Sequence, residues 1–167
     1  ERLGAEVVFA GADFDQSREA AEARAARDGR YYVHAANEQA LIAGVATYVL
    51  EMLEAVPDLD YLFVPGGGGS GISGACIVGK TINPDLRVIG VQAVGAPVMV
   101  ESWRRRSLLT FDRMETFAEG IATRAAFELP AHIMWDWIDD FRLVTDAEMR
   151  RGIVTILEST HMVAEGA

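Results

Sequence analysis

Phe63-Val64-Pro65-Gly66-Gly67-Gly68-Gly69-Ser70-Gly71-Ile72-Ser73-Gly74 is the stretch whose reading decides the fold. It opens on the end of a continuous apolar run, Tyr61 to Val64, of the kind found in strands buried on both faces. Six glycines then occupy nine positions, 66 to 74, and a helix of small residues is expected from about Ile72 to Lys80. A strand that passes through such a tract into a helix leaves backbone N–H groups free to converge on an anion, and the helix's first turn adds partial positive charge. The carboxyl end of a central strand is also where open α/β sheets hold their ligands. A packed strand-to-helix turn without any ligand is the plainer alternative.

On either side of the tract the chain alternates between strand and helix signals. Glu6 to Ala10 and Tyr31 to His34 read as strands. Ser17 to Asp28 reads as a helix with Ser17 as N-cap and Gly29 as its stop. Glu38 to Val56 repeats apolar residues at helical spacing until Pro57. After the tract, Asn83-Pro84-Asp85 turns the chain into a strand, Arg87 to Gln92. Pro130 to Ile138 reads as a helix and Phe141 to Val144 as a strand, and Thr145-Asp146-Ala147-Glu148 reads as a capping box that opens a last helix. This order predicts an α/β fold, a parallel sheet with helices on both faces in three layers.

The 167 residues make about one domain on the prior of roughly 100 to 200 residues each. Half are apolar, enough for a sizeable core, so disorder is excluded. Twenty-five acidic against 15 basic residues give a net charge of -10, which repels a phosphate backbone or an anionic membrane surface. No nucleic-acid or membrane partner is expected, and no apolar run is long enough to span a bilayer. The single cysteine, Cys76, allows no internal disulfide and fits a reducing cytoplasm. Glu1 in place of methionine and the ending Glu165-Gly166-Ala167 read as a piece of something longer.

Other motifs compete for the glycines. Gly66-x-Gly68-x-x-Gly71 and Gly69-x-Gly71-x-x-Gly74 fit the dinucleotide pattern, but Gln92 stands where the acid for the ribose hydroxyls belongs. Gly74 to Thr81 matches the nucleotide P-loop formally, yet its middle is apolar, lies inside a helix and is followed by Pro84. A hydrolase elbow fails because Ile72 replaces its second glycine. A phosphate cup for a cofactor other than a nucleotide remains.

Five segments carry a resemblance: His34-Ala35-Ala36-Asn37, Leu41-Ile42-Ala43-Gly44, Val64 to Gly71, Phe117-Ala118-Glu119-Gly120 and Ala164-Glu165-Gly166-Ala167. In order and approximate spacing they resemble the threonine dehydratase and serine racemase family, fold-type-II pyridoxal phosphate enzymes with a tryptophan synthase β-like fold. The resemblance runs through the whole chain. It implies that Gly67, Gly68, Gly69, Ser70 and Gly71 hold the cofactor phosphate, that Asn37 and Glu165 border the cofactor ring, and that Glu119 and Gly120 line the substrate side. Residues 1–36 are then a remnant of the small domain and 37–167 part of the large cofactor-binding domain.

The implied reaction is β-elimination of water from a hydroxy amino acid such as threonine or serine, followed by deamination. Racemisation or a related dehydration uses the same parts. A non-catalytic anion-binding module stays open as well, because the one lysine, Lys80, is about ten residues past the cup, or about 15 Å along a helix. Such enzymes need a lysine bonded to the cofactor. No catalytic residue is therefore assigned in this chain, and the family's lysine is expected upstream. Relatives that hold a divalent cation do so with carboxylates where this chain has Gln92 and Val98, so no metal is expected. The resemblance also implies a homo-oligomer, a dimer or tetramer.

Arg104, Arg105 and Arg106 read as a solvated helix end. His132 and Asp136 make a poor metal pair without a third ligand. Trp103, Trp135 and Trp137 read as core or interface aromatics.

Overall fold

The computed structural model describes residues 2–167, which divide into two compact units, residues 2–33 and residues 34–167. The first unit is built on one helix, α1 (Phe14–Asp28). Its N-cap is Asp13, which accepts from the Gln16 amide at 2.8 Å, and Gly29 closes it in the left-handed conformation. Ser17, expected as the cap, instead lies inside the helix and donates its hydroxyl to the Ala10 carbonyl at 2.7 Å. An aspartate four residues earlier reaches the free amides first.

The strands expected at 6–10 and 31–34 do not form: among the described residues neither stretch belongs to a ladder. A strand is completed only by a neighbour that takes up its N–H and C=O groups. Val8, Phe9, Tyr31 and Val33 are all exposed. Sequence preference is present there without a pairing partner.

The second unit holds a parallel sheet of β1 (Tyr61–Pro65), β2 (Arg87–Ala93) and β3 (Asp140–Val144), in chain order. Tyr61 is in register with Arg87, and Ile89 with Asp140. Along β1, Leu62 and Val64 are buried while Tyr61 and Phe63 are exposed, which departs from the two-sided burial expected of a continuous apolar run. Six helices belong to this unit. They are α2 (Gln39–Val45), α3 (Thr47–Ala55), α4 (Ser70–Ile82), α5 (Val98–Arg105), α6 (Glu128–Trp137) and α7 (Asp146–Thr160).

The single helix expected over 38–56 is interrupted at Ala46. A Cβ on Gly74 of α4 would lie 2.9 Å from the Ala46 Cα, so the break falls where two helices meet backbone to backbone. Helix α5 ends at the arginine run that the sequence marks as a solvated helix end, but its start at Val98 carries no capping or periodic signal, since only six residues precede Arg104. Arg104 and Arg105 both pair with Glu101 on α5, and Arg106 ends the helix in the left-handed conformation.

The core gathers Val49, Leu53, Leu62, Val64, Ile72, Cys76, Val88, Met99, Met134 and Phe141 between the sheet and α3 to α6. Phe141 lies over Gly90, its register partner on β2, where any Cβ would stand 2.3 Å from the ring. Trp103 packs on Phe141, with ring centroids 5.3 Å apart, and Trp135 donates its indole N–H to the Ser102 carbonyl at 3.2 Å. Close packing of this kind fixes α4 on the sheet and so fixes where its first turn points.

Candidate functional site

The glycine tract leaves β1 at Gly66, whose amide completes the sheet by donating to the Val91 carbonyl at 2.7 Å. The next six residues differ. None of the amides from Gly67 to Ile72 donates to a protein acceptor among the described residues, and the pattern resumes only at Ser73, whose N–H reaches the Gly69 carbonyl at 2.9 Å. The N-cap of α4 is Gly69, which has no side chain to satisfy those donors. An anion is the partner such a row of amides at a helix start accommodates.

Two of the glycines are fixed by their surroundings. Gly69 has φ +94°, and a Cβ there would lie 2.8 Å from Pro130 and 2.9 Å from Met99. At Gly67 a Cβ would stand 2.8 Å from the Gly120 carbonyl oxygen, a backbone atom with little room to yield. Among the described residues the Ser70 hydroxyl makes no hydrogen bond, and the residue is partly exposed beside the open amides. The tract therefore offers backbone and hydroxyl donors with its Cα hydrogens turned to the protein. A phosphate group fits this donor set.

The expected site residues surround the tract. Gly68 packs against Ala36 and Phe127, at the Asn37 side. Asn37 itself uses its Oδ1 to accept the Leu129 amide at 2.8 Å, in the first turn of α6. Glu119 and Gly120 lie in a 3-10 turn, Glu119–Ile121, and both are exposed. A Cβ on Gly120 would lie 3.1 Å from Ala167 and 3.5 Å from the Glu165 Oε1, so the last residues of the chain sit against the same turn. A cavity of about 190 Å³ is lined there by Pro65, Val91, Ile121, Val144 and Glu165 among others.

Sequence reasoning missed three contributors. The Ile72 amide extends the row of free donors although its side chain is wholly buried. Tyr48 of α3 donates its hydroxyl to the Gly71 carbonyl at 3.3 Å, and burial pushes that phenol up to about 12. A tyrosine in the apolar stripe of α3 was the available signal. Asp146 holds the segment leading into Glu119, and nothing in the sequence separates that task from helix capping.

Lys80 lies in the last turn of α4, the end away from the tract, and its Nζ is 2.6 Å from the Asp139 Oδ2. Gln92 is fully buried and its Oε1 accepts the Val100 amide at 3.1 Å. Among the described residues no three His, Cys, Asp or Glu side chains gather as a metal site, and no helix is long and apolar enough to cross a membrane.

The pyridoxal-phosphate dependent enzyme family is matched over residues 1–167. The chain belongs to that family. As a pyridoxal-phosphate dependent family member it is 37% identical, over 99% of its length, to an L-threonine ammonia-lyase of Thermotoga maritima, covering 41% of that protein. Among solved structures, the processed form of threonine deaminase isoform 2 from Solanum lycopersicum superposes with a TM-score of 0.92 at 27% identity, covering 99% of this chain and 46% of that one. Maize serine racemase superposes with a TM-score of 0.90 at 25% identity, covering 99% and 50%. The architecture is thus that of the fold-type-II enzymes. The chain spans about half the length of the curated relatives it matches.

Proposed function

We propose that the full-length protein carrying this chain is a pyridoxal phosphate-dependent ammonia-lyase that removes water and then ammonia from a hydroxy amino acid, threonine foremost. The row of acceptor-free amides from Gly67 to Ile72 carries the reading, because it is a phosphate-shaped donor set in a chain of this family. The relatives named for threonine favour that substrate.

When bound, the cofactor supplies an electron sink for negative charge at the substrate's α-carbon. The chain's own residues have simpler tasks. The amides of Gly67 to Ile72 and the Ser70 hydroxyl bind the phosphate, and the start of α4 adds favourable charge. Gly120, without a side chain, leaves the substrate side open, and Glu119 offers a carboxylate there that can accept a hydrogen bond. Glu165 and Asn37 border the ring, and the Asn37 Oδ1 also accepts the Leu129 amide at the start of α6. Residues 1–36 are a remnant of the small domain and 37–167 part of the large cofactor-binding domain, and the lysine bonded to the cofactor is not among these residues. Gln92 and Val98 offer no anionic oxygen to a divalent cation.

The lone buried cysteine is consistent with a reducing cytoplasm, and the exposed apolar residues Val154, Ile156 and Leu157 of α7 are consistent with a homo-oligomer. The test is to purify the full-length protein, record its visible cofactor absorbance, and assay L-threonine and L-serine for release of ammonia and a 2-oxo acid. A colourless protein that releases no ammonia from either overturns the reading. A second reading, a non-catalytic anion-binding module, is favoured by one observation: the chain's single lysine is engaged by Asp139. Serine racemisation, the activity named for a structural neighbour, would appear in the same assay as D-serine without ammonia.

A further inference from the structure

Helix α7 has its own cap. Thr145 accepts the Glu148 amide and Glu148 accepts the Thr145 amide, which completes the capping box. The next residue, Asp146, spends its carboxylate elsewhere. Its Oδ1 accepts the Thr116 hydroxyl at 2.7 Å and its Oδ2 accepts the Phe117 amide at 3.0 Å. The Thr116 Oγ1 in turn accepts the Ala118 amide at 3.2 Å. One turn along α7, Arg150 lays its guanidinium 4.3 Å from the centre of the Phe117 ring.

These contacts grip one segment from several sides. Upstream, the Glu115 amide donates to the Gly95 carbonyl at 2.8 Å. The Phe117 ring also meets Gly166, where a Cβ would stand 2.8 Å from the ring edge. Downstream, Ala118 is buried and leads directly into the 3-10 turn whose Gly120 carbonyl faces Gly67. Gly67 is the first residue of the open amide row. Any drift of 116–120 therefore moves the wall that sets the direction of the first donor.

We propose that Asp146 is a positioning residue for the phosphate cup, holding Thr116 and Phe117 so that Gly120 stays seated against Gly67. The inference rests on the reading of the glycine tract as a phosphate site. A purely structural aspartate would affect the stability of α7 and leave anion affinity alone.

The experiment uses the full-length protein freed of cofactor, titrated separately with inorganic phosphate and with pyridoxal phosphate, and compares Asp146→Ala, Asp146→Asn and Thr116→Val with the parent. Arg151→Met, an exposed change on the same helix, is the control. Asp146→Ala is expected to weaken both affinities about tenfold, the scale of one lost hydrogen bond to a charged group. Asp146→Asn recovers part of the loss, because its amide oxygen still accepts from Phe117. A folded Asp146→Ala protein with parental affinity for both probes overturns the proposal. Should that variant not fold, Thr116→Val decides: it removes only the hydroxyl, and parental affinity there is equally fatal. A parent that binds neither probe instead overturns the cup itself, and this proposal with it.

Discussion

The two ends of α4 solve opposite problems with the same helix. At its start, six successive amides are left without protein acceptors and the capping residue is a glycine. At its finish the polar side chains are engaged: Lys80 meets Asp139, Asp139 also accepts the Val88 amide at 2.7 Å, and the Asn83 side chain donates to the Leu59 carbonyl at 3.1 Å. Polar groups without a protein partner are satisfied by water or a ligand, and a row of them at a helix start suits an anion. The closed end anchors the helix, and the open end can then point its donors without adjustment.

Breaking the open end gives the largest effect. Gly69→Ala forces a side chain into φ +94° and against Pro130, costing about 2–5 kcal/mol from backbone strain and overpacking together. Chemical denaturation should show that loss, and phosphate titration should show binding abolished. At the closed end, Lys80→Met should separate the two properties. Its ion pair is only about one-fifth exposed, so stability should fall by about 1–3 kcal/mol, between the surface and buried cases, while phosphate affinity stays at the parental value. An equal loss of affinity would show that the two ends are not independent.

A third change probes the helix that braces the cup from outside. Thr145→Ala removes the capping-box hydroxyl of α7 and should cost about 1 kcal/mol, read as a lowered denaturation midpoint. The smallest effect is one of pH. The hydrogen bond from Thr116, then that from Phe117, hold the Asp146 carboxyl below the usual carboxylate range. A depressed folded-state pKa stabilises fully above the unfolded value and is lost as pH falls through the folded one. The melting temperatures of parent and Asp146→Ala should thus differ by a constant amount above about pH 5 and converge below about pH 4. A gap that widens in acid would reverse the sign and refute the assignment.

The open end was legible in the sequence because glycine carries a backbone message: six in nine positions after an apolar strand leave few other readings. β1, β2, β3, α4, α6 and the start of α7 were legible through apolar runs, turn residues and capping signals, to within a few residues at their ends. Two strand expectations failed in residues 6–10 and 31–34 because strand preference is local while pairing is not. The break at Ala46 falls against Gly74 of α4, a contact between distant residues that local periodicity does not carry. Asp146 was invisible because its partners, Thr116 and Phe117, are some thirty residues away along the chain. Within the candidate site, an anion cup in the glycine tract could be suggested from composition, whereas the roles expected of Asn37, Glu119, Gly120 and Glu165 came only from a likeness to relatives.

Cys76 sits midway along α4, wholly buried, and desolvation pushes its thiol up to about 12. It is thus almost entirely in the unreactive protonated form at neutral pH, sealed from any alkylating reagent until the helix lifts from the sheet. The protein consequently carries its own chemical clock: the rate at which iodoacetamide labels this sulfur reports how often the helix behind the glycine tract comes undone, and a ligand seated at its first turn should slow the ticking.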